Sequence, residues 1–131
     1  MNYLTPEQVL FIHSRLVTET GGSHGVRDLG LLESAVARPR ATFDGKELYP
    51  DLFTKTAALM DSLINNHPFL DGNKRTGVTA AGLFLLINGW KMTASPEDLE
   101  TITLRVASEG LEVTALAGWL RKNTVGKIDL R

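Results

Sequence analysis

Apolar residues recur at helical spacing in six stretches of the chain, with Gly, Pro and short polar residues between them. The first stretch opens at Thr5-Pro6-Glu7-Gln8, where Thr5 suits a cap, Pro6 the first helical position and Gln8 a capping box. Val9, Ile12 and Leu16, with His13 close in phase, predict one buried face, and Gly21-Gly22 ends the helix. Residues 21–25 read as a loop. Asp28 then caps a short second helix that turns Leu31, Leu32, Ala35 and Val36 inward and stops before Pro39.

No period runs through Arg40–Asp51, which holds Asp44, Lys46, Glu47 and Asp51 together with Gly45 and Pro50. It reads as an exposed, mobile excursion with room for one small hairpin within Arg40–Leu48. A third helix is predicted from Leu52 to Asn66 on the spacing of Phe53, Thr56, Ala57, Met60, Leu63 and Ile64, and His67-Pro68 ends it. The fourth runs from Asn73 to Asn88 with Gly89 as its stop. Its middle, Ala80–Leu86, is apolar on nearly every face, as expected of the central helix of a bundle. Ser95-Pro96-Glu97-Asp98 opens a fifth helix with Leu99, Ile102, Val106 and Ala107 inward, and Gly110 closes it. Leu116, Trp119 and Leu120 mark a short sixth.

The pattern predicts an all-α fold, a compact bundle of about six helices in one domain over residues 1–123, followed by a loose C-terminal tail, 124–131. The chain has 131 residues, enough for one real core, and 43% hydrophobic with 22% charged residues excludes a disordered composition. Its formal net charge of -1 provides no global basic field for nucleic acid, so direct nucleic-acid binding is not expected. The absence of cysteine removes disulfides, thiolate metal sites and a Cys nucleophile. MNYLTPEQVL lacks the basic and apolar regions of a signal peptide, and Ala80–Ile87 is too short to span a bilayer. A cytoplasmic location is expected.

Candidate chemistry is concentrated in His67-Pro68-Phe69-Leu70-Asp71-Gly72-Asn73-Lys74-Arg75, between two buried helices. A helix start presents free N–H groups and a positive dipole end, which together bind anions. Gly72 permits close backbone approach, and Asn73 can cap the helix or donate to a phosphate oxygen. Lys74 and Arg75 add two positive charges to a first turn whose dipole disfavours them, which points to a bound polyanion. Asp71 beside such a cradle fits Mg²⁺, which takes a carboxylate together with phosphate oxygens and water. His67 fits a general base, because imidazole exchanges its proton near neutral pH.

Each feature also has a bland account. A histidine at a helix end is more often a cap or a packed ring, Asp-Gly-Asn is a common turn, and Lys-Arg is usually a solvated face. Their union within nine residues is what favours a site. His13 and His24 lack partners at metal spacing, and no HExxH sequence or EF-hand loop occurs. The Gly-rich phosphate loop ending in Gly-Lys-Ser/Thr is absent, and Trp90 and Trp119 read as core or rim.

The segment His67–Arg75 closely resembles the motif of Fic-domain proteins, in particular the death-on-curing branch. The resemblance extends to Gly25-Val26-Arg27-Asp28, to Leu31-Leu32-Glu33-Ser34-Ala35 and to Asn88-Gly89, covering Leu4 to Leu120. It implies an all-α bundle centred on the motif loop and the helix after it. It also implies that His67 activates a target hydroxyl, that Asp71 binds the metal and that Gly72 and Asn73 form the anion cradle. Arg75, by the same resemblance, contacts phosphate, and Phe69 is a buried anchor.

Lys74 stands where the AMP-transferring branch has glycine, and Val78 where it has a second arginine. Both changes alter the phosphate site and favour the death-on-curing branch, which shares the lysine. That branch implies a toxin kinase that uses ATP and Mg²⁺ to phosphorylate a Ser or Thr hydroxyl on a translation factor, elongation factor Tu, and so stops protein synthesis. It further implies an antitoxin whose C-terminal segment folds onto the toxin, and a flap at Arg40–Asp51 that helps to position the target. An AMP transferase of the same fold and a catalytically silent partner-binding module are the alternatives.

Overall fold

The computed structural model describes residues 1–126, and the caps read from the sequence form at the expected places. Helix α1 spans Pro6–Thr20; the Thr5 hydroxyl accepts from the Gln8 N–H, while the Thr5 N–H donates to the Gln8 side chain at 2.8 Å. Asp28 caps α2, Leu29–Ala37, by accepting from the Leu31 N–H at 3.0 Å. A single 3₁₀ turn, Arg38–Arg40, follows and buries Pro39. Helix α3 is Leu52–Asn65, α4 Asn73–Ile87, α5 Pro96–Glu109 and α6 Val113–Lys122. Ser95 caps α5 through the Asp98 N–H, and the Asp51 carboxylate caps α3 through the Phe53 and Thr54 N–H groups.

The all-α expectation holds, with six α-helices and two small strand pairs among the described residues. In the first pair, β1 (Thr42–Phe43) lies antiparallel to β2 (Lys46–Glu47), and Asp44 and Gly45 between them both have positive φ, 53° and 76°. An Asp-Gly pair in that conformation makes the tight turn whose twist matches a hairpin. The second pair joins β3, Lys91–Met92, to β4, Thr124–Val125, so the first residues of the expected tail lie against the loop after α4. Residues 127–131 of that tail lie outside the described residues.

Helix α3 is covered on more sides than periodicity predicts. Ten of its residues are buried, compared with seven in α4, so the two helices share the central position expected of α4 alone. On one side, Phe53, Met60 and Ile64 of α3 pack with Leu85 of α4, Ile102 and Val106 of α5, and Leu116 and Leu120 of α6. On the other, Leu59 and Leu63 pack with Phe84, Leu32, Val36 and Phe69. The buried face of α1 is Val9, His13 and Val17, with Ile12 and Leu16 only half-buried. No helix among the described residues is long and apolar enough to cross a membrane.

A buried lysine pins the root of the 40–51 excursion. Lys55, 2% exposed, donates its three N–H groups to the Pro39 carbonyl (3.1 Å), the Tyr49 carbonyl (2.6 Å) and the Glu47 carboxylate (2.8 Å). Arg38 ties the same region to α3 through Asp61, Ser62 and the Ala58 carbonyl, and to the Tyr49 hydroxyl. Burial opposes the charge on Arg38, but the bonds to Asp61 and Tyr49 outweigh it, so its pKa lies above the ordinary arginine value.

Candidate active site

The chain leaves α3 at Asn65, turns through residues 66–72 and enters α4 at Asn73, so the motif loop lies between the two central helices. Two left-handed residues make that reversal. Gly72 is the N-cap of α4 with φ 78° and ψ 17°, a conformation that glycine adopts without penalty. His67 has φ 50°, and a left-handed backbone costs a residue with a Cβ about 1–2 kcal/mol. Phe69, 1% exposed, anchors the loop in the core, as expected.

Asn73 staples the loop from inside. Its Oδ1 accepts from the Phe69 N–H at 3.0 Å, its Nδ2 donates to the Phe69 carbonyl at 3.0 Å, and Nδ2 lies 3.4 Å from His67 Nδ1. The side chain is buried and does not cap α4, so its amide is turned to the loop and the His67 ring. No side chain caps the free N–H groups of the first turn.

His13 supports the loop from α1. Its ring lies on Phe69 with centroids 3.8 Å apart and planes 5° from parallel, and its Nε2 donates to the Asp71 carbonyl at 2.8 Å. The sequence contained the signal, a histidine in phase with Val9 and Val17 on the buried face of α1, but its partner is a main-chain oxygen that no residue spacing reveals. The Asp71 carboxylate is also held: Oδ1 accepts from the Gly72 N–H at 2.9 Å and Oδ2 from the Ser23 N–H at 3.3 Å. Each oxygen keeps a second lone pair.

His67, Asp71, Gly72, Asn73, Lys74 and Arg75 all line one open cavity of about 770 Å³. Its facing wall is α5, which contributes Leu99, Glu100, Thr103 and Leu104, and the sequence reading missed this wall. Glu100 is exposed, and Thr103 is buried with its hydroxyl donating to the Leu99 carbonyl. Val78 lies one turn into α4 on the same cavity. Lys74 and Arg75 are exposed in the first turn of α4, and neither makes an ion pair with the described residues.

The cavity thus gathers an imidazole, the carboxylates of Asp71 and Glu100, a helix start and two cations that make no ion pair among the described residues. Groups of these kinds can hold an anionic ligand beside an imidazole. A family profile described as Fic/DOC family matches residues 3–85, which include the whole motif loop. The chain belongs to the Fic/DOC family. It is 43% identical over 120 residues to "Toxin Doc" of Mycolicibacterium smegmatis, covering 90% of each protein. It is 33% identical over 122 residues to "Protein kinase doc" of Escherichia phage P1, covering 93% of this chain and 95% of that one. These similarities place this Fic/DOC protein with the Doc toxins, as the motif resemblance implied.

Among the described residues no three His, Cys, Asp or Glu side chains gather as a metal cluster. One carboxylate with a lone pair free on each oxygen, beside an open helix start, is nevertheless a fitting donor for Mg²⁺, which commonly takes its remaining oxygens from phosphates and water. Asp71 is the residue that would hold it.

Proposed function

We propose that the chain is a Doc-type toxin that transfers the terminal phosphate of ATP to a Ser or Thr hydroxyl of a protein target. The observation that carries the reading is the pair Lys74 and Arg75, two cations on the first turn of α4 that make no ion pair among the described residues and share a cavity with His67. Binding a polyphosphate resolves the conflict between those charges and the helix dipole.

In the proposed step the target hydroxyl oxygen forms a bond to the γ-phosphorus as His67 takes its proton. The bond from the γ-phosphorus to the bridging oxygen breaks, and ADP leaves. The N–H groups that open α4 from Asn73 onward, with Lys74 and Arg75, hold the phosphates in line and stabilise the charge that develops on them, while the Gly72 N–H stays on the Asp71 carboxylate. Asp71 would hold Mg²⁺, which when bound would further neutralise the phosphate oxygens.

Two substitutions favour the terminal phosphate over AMP. Lys74 fills space beside the cradle that a glycine would leave open, and Val78 removes a second arginine clamp. The relative named "Protein kinase doc" supports the same choice. On this reading the target is a translation factor, elongation factor Tu, whose modification stops protein synthesis in the cytoplasm. The implied partner is an antitoxin whose C-terminal segment folds onto the toxin.

The test is incubation with Mg²⁺, a cell extract and ATP labelled at either the α- or the γ-phosphate, followed by mass analysis of the labelled protein. Label from the γ-position alone, lost in His67→Ala, is the expected result. Label from the α-position replaces the kinase by an AMP transferase, and no label from either leaves a silent binding module.

A further inference from the structure

The segment Gly25–Asp28 lies against the motif loop and is joined to it by five hydrogen bonds. Three are between main chains: Arg27 N–H to the Pro68 carbonyl (2.8 Å), Asp28 N–H to the same oxygen (3.0 Å) and Leu70 N–H to the Gly25 carbonyl (3.2 Å). The other two come from one side chain. Arg27 Nε donates to the His67 carbonyl at 2.6 Å, and Arg27 Nη2 donates to the Asn66 carbonyl at 2.8 Å.

Those two carbonyls belong to the peptide planes on either side of the His67 Cα. The orientation of the two planes about that atom is what φ and ψ describe. A single rigid, planar guanidinium bonded to both therefore fixes both angles at once. His67 is also the residue that needs such a restraint, because its φ of 50° lies in the left-handed region. Apart from it, Asp44 in the hairpin turn is the only non-glycine with positive φ among the described residues. Strained backbone of this kind persists where the surroundings over-determine it.

We infer that Arg27 is a positioning residue for His67: its guanidinium clamps the flanking carbonyls, holds the left-handed backbone and so aims the imidazole into the cavity. The inference rests on the proposed role of His67 as the proton acceptor. Arg27 does not line the cavity, and its side-chain bonds are to carbonyls, so its charge is not placed to meet a nucleotide phosphate. A simpler role is also available to it. Asn66 is the C-cap of α3, and a cation there satisfies a terminal carbonyl and the helix dipole. Such a cap contributes to stability alone, and experiment separates the two roles.

The test uses the full chain carrying Arg27→Ala or Arg27→Lys, with three readouts. The first is the His67 HN–Hα coupling and Cα chemical shift in labelled, nucleotide-free protein. The second is kcat and KM for ATP below the melting transition, and the third is the melting temperature. Arg27→Ala is expected to move the His67 signals away from left-handed values and to lower kcat by about 10²-fold, with KM for ATP little changed. Arg27→Lys keeps the charge but not the two-pronged geometry, and is expected to fall between.

Unmoved His67 signals overturn the inference, as does a lower melting temperature with kcat intact. A raised KM at unchanged kcat overturns it too, because Arg27 would then meet the nucleotide itself. If Arg27→Ala does not fold, Arg27→Lys decides by the same readouts. If the unmodified protein transfers no phosphate, the proposed function fails, and the His67 signals alone decide the placement by Arg27.

Discussion

The His13 ring lies flat on Phe69, 3.8 Å between centroids, and donates from Nε2 to the Asp71 carbonyl, so one buried side chain of α1 sets the height of the motif loop. His13→Ala removes a buried ring and leaves that carbonyl without its donor. It is expected to destabilise the protein by about 2–4 kcal/mol in urea titration. His13→Phe restores the ring but not the donor, and about 1–3 kcal/mol of the loss should remain. If His13→Phe proved as stable as the parent, the bond to Asp71 would contribute nothing and the stacking everything.

Gly22 lies so close to Asp71 that a Cβ on it would stand 2.6 Å from Oδ2. Its φ of 110° adds a backbone conformation that other residues rarely adopt. Gly22→Ala is therefore expected to displace the Asp71 carboxylate and raise the Mg²⁺ concentration needed for half-maximal transfer. Gly21→Ala is the control, because Gly21 has φ 81° but open space around its Cβ position. It should lose about 1–3 kcal/mol of stability from backbone strain with an unchanged Mg²⁺ requirement. Equal Mg²⁺ curves for the two variants would show that the contact with Asp71 has no bearing on metal use.

These contacts explain what the sequence made legible and what it did not. Caps at Thr5, Asp28 and Ser95 are local, each a side chain bonded to an N–H three residues on, so spacing alone finds them. The motif loop is contiguous, so its chemistry could be read without a fold. Its supports could not. His13, Ser23 and Arg27 reach it from distant positions, and each bond has a main-chain partner on one side. Lys55 resembles a solvent-facing charge within α3 because the carbonyls of Pro39 and Tyr49, which bury it, carry no sequence signal. The Asp44-Gly45 turn was legible as a hairpin signal, whereas the pairing of Lys91–Met92 with Thr124–Val125 depends on how α5 and α6 fold back.

Lys74 and Arg75 give the sharpest test of a site whose charges serve a ligand rather than the fold, because stability and function should move in opposite directions. Both sit in the first turn of α4, where the helix dipole disfavours a cation, and neither has an anionic partner among the described residues. Lys74→Glu replaces an unfavourable charge by a favourable one and is expected to stabilise the ligand-free protein by about 0.3–1 kcal/mol. The same change places a carboxylate against the polyphosphate and should abolish measurable ATP binding in calorimetry. Lys74→Gly and Arg75→Ala should weaken transfer with little change in melting temperature, and Lys74→Gly tests whether an opened cradle admits AMP transfer. A solvated pair with no ligand would behave otherwise: Lys74→Glu would still stabilise, but nucleotide affinity and turnover would stay where they were. Loss of stability in Lys74→Glu would point the other way, to an anionic partner for Lys74 within the protein, and would remove the charge mismatch on which the phosphate site is argued.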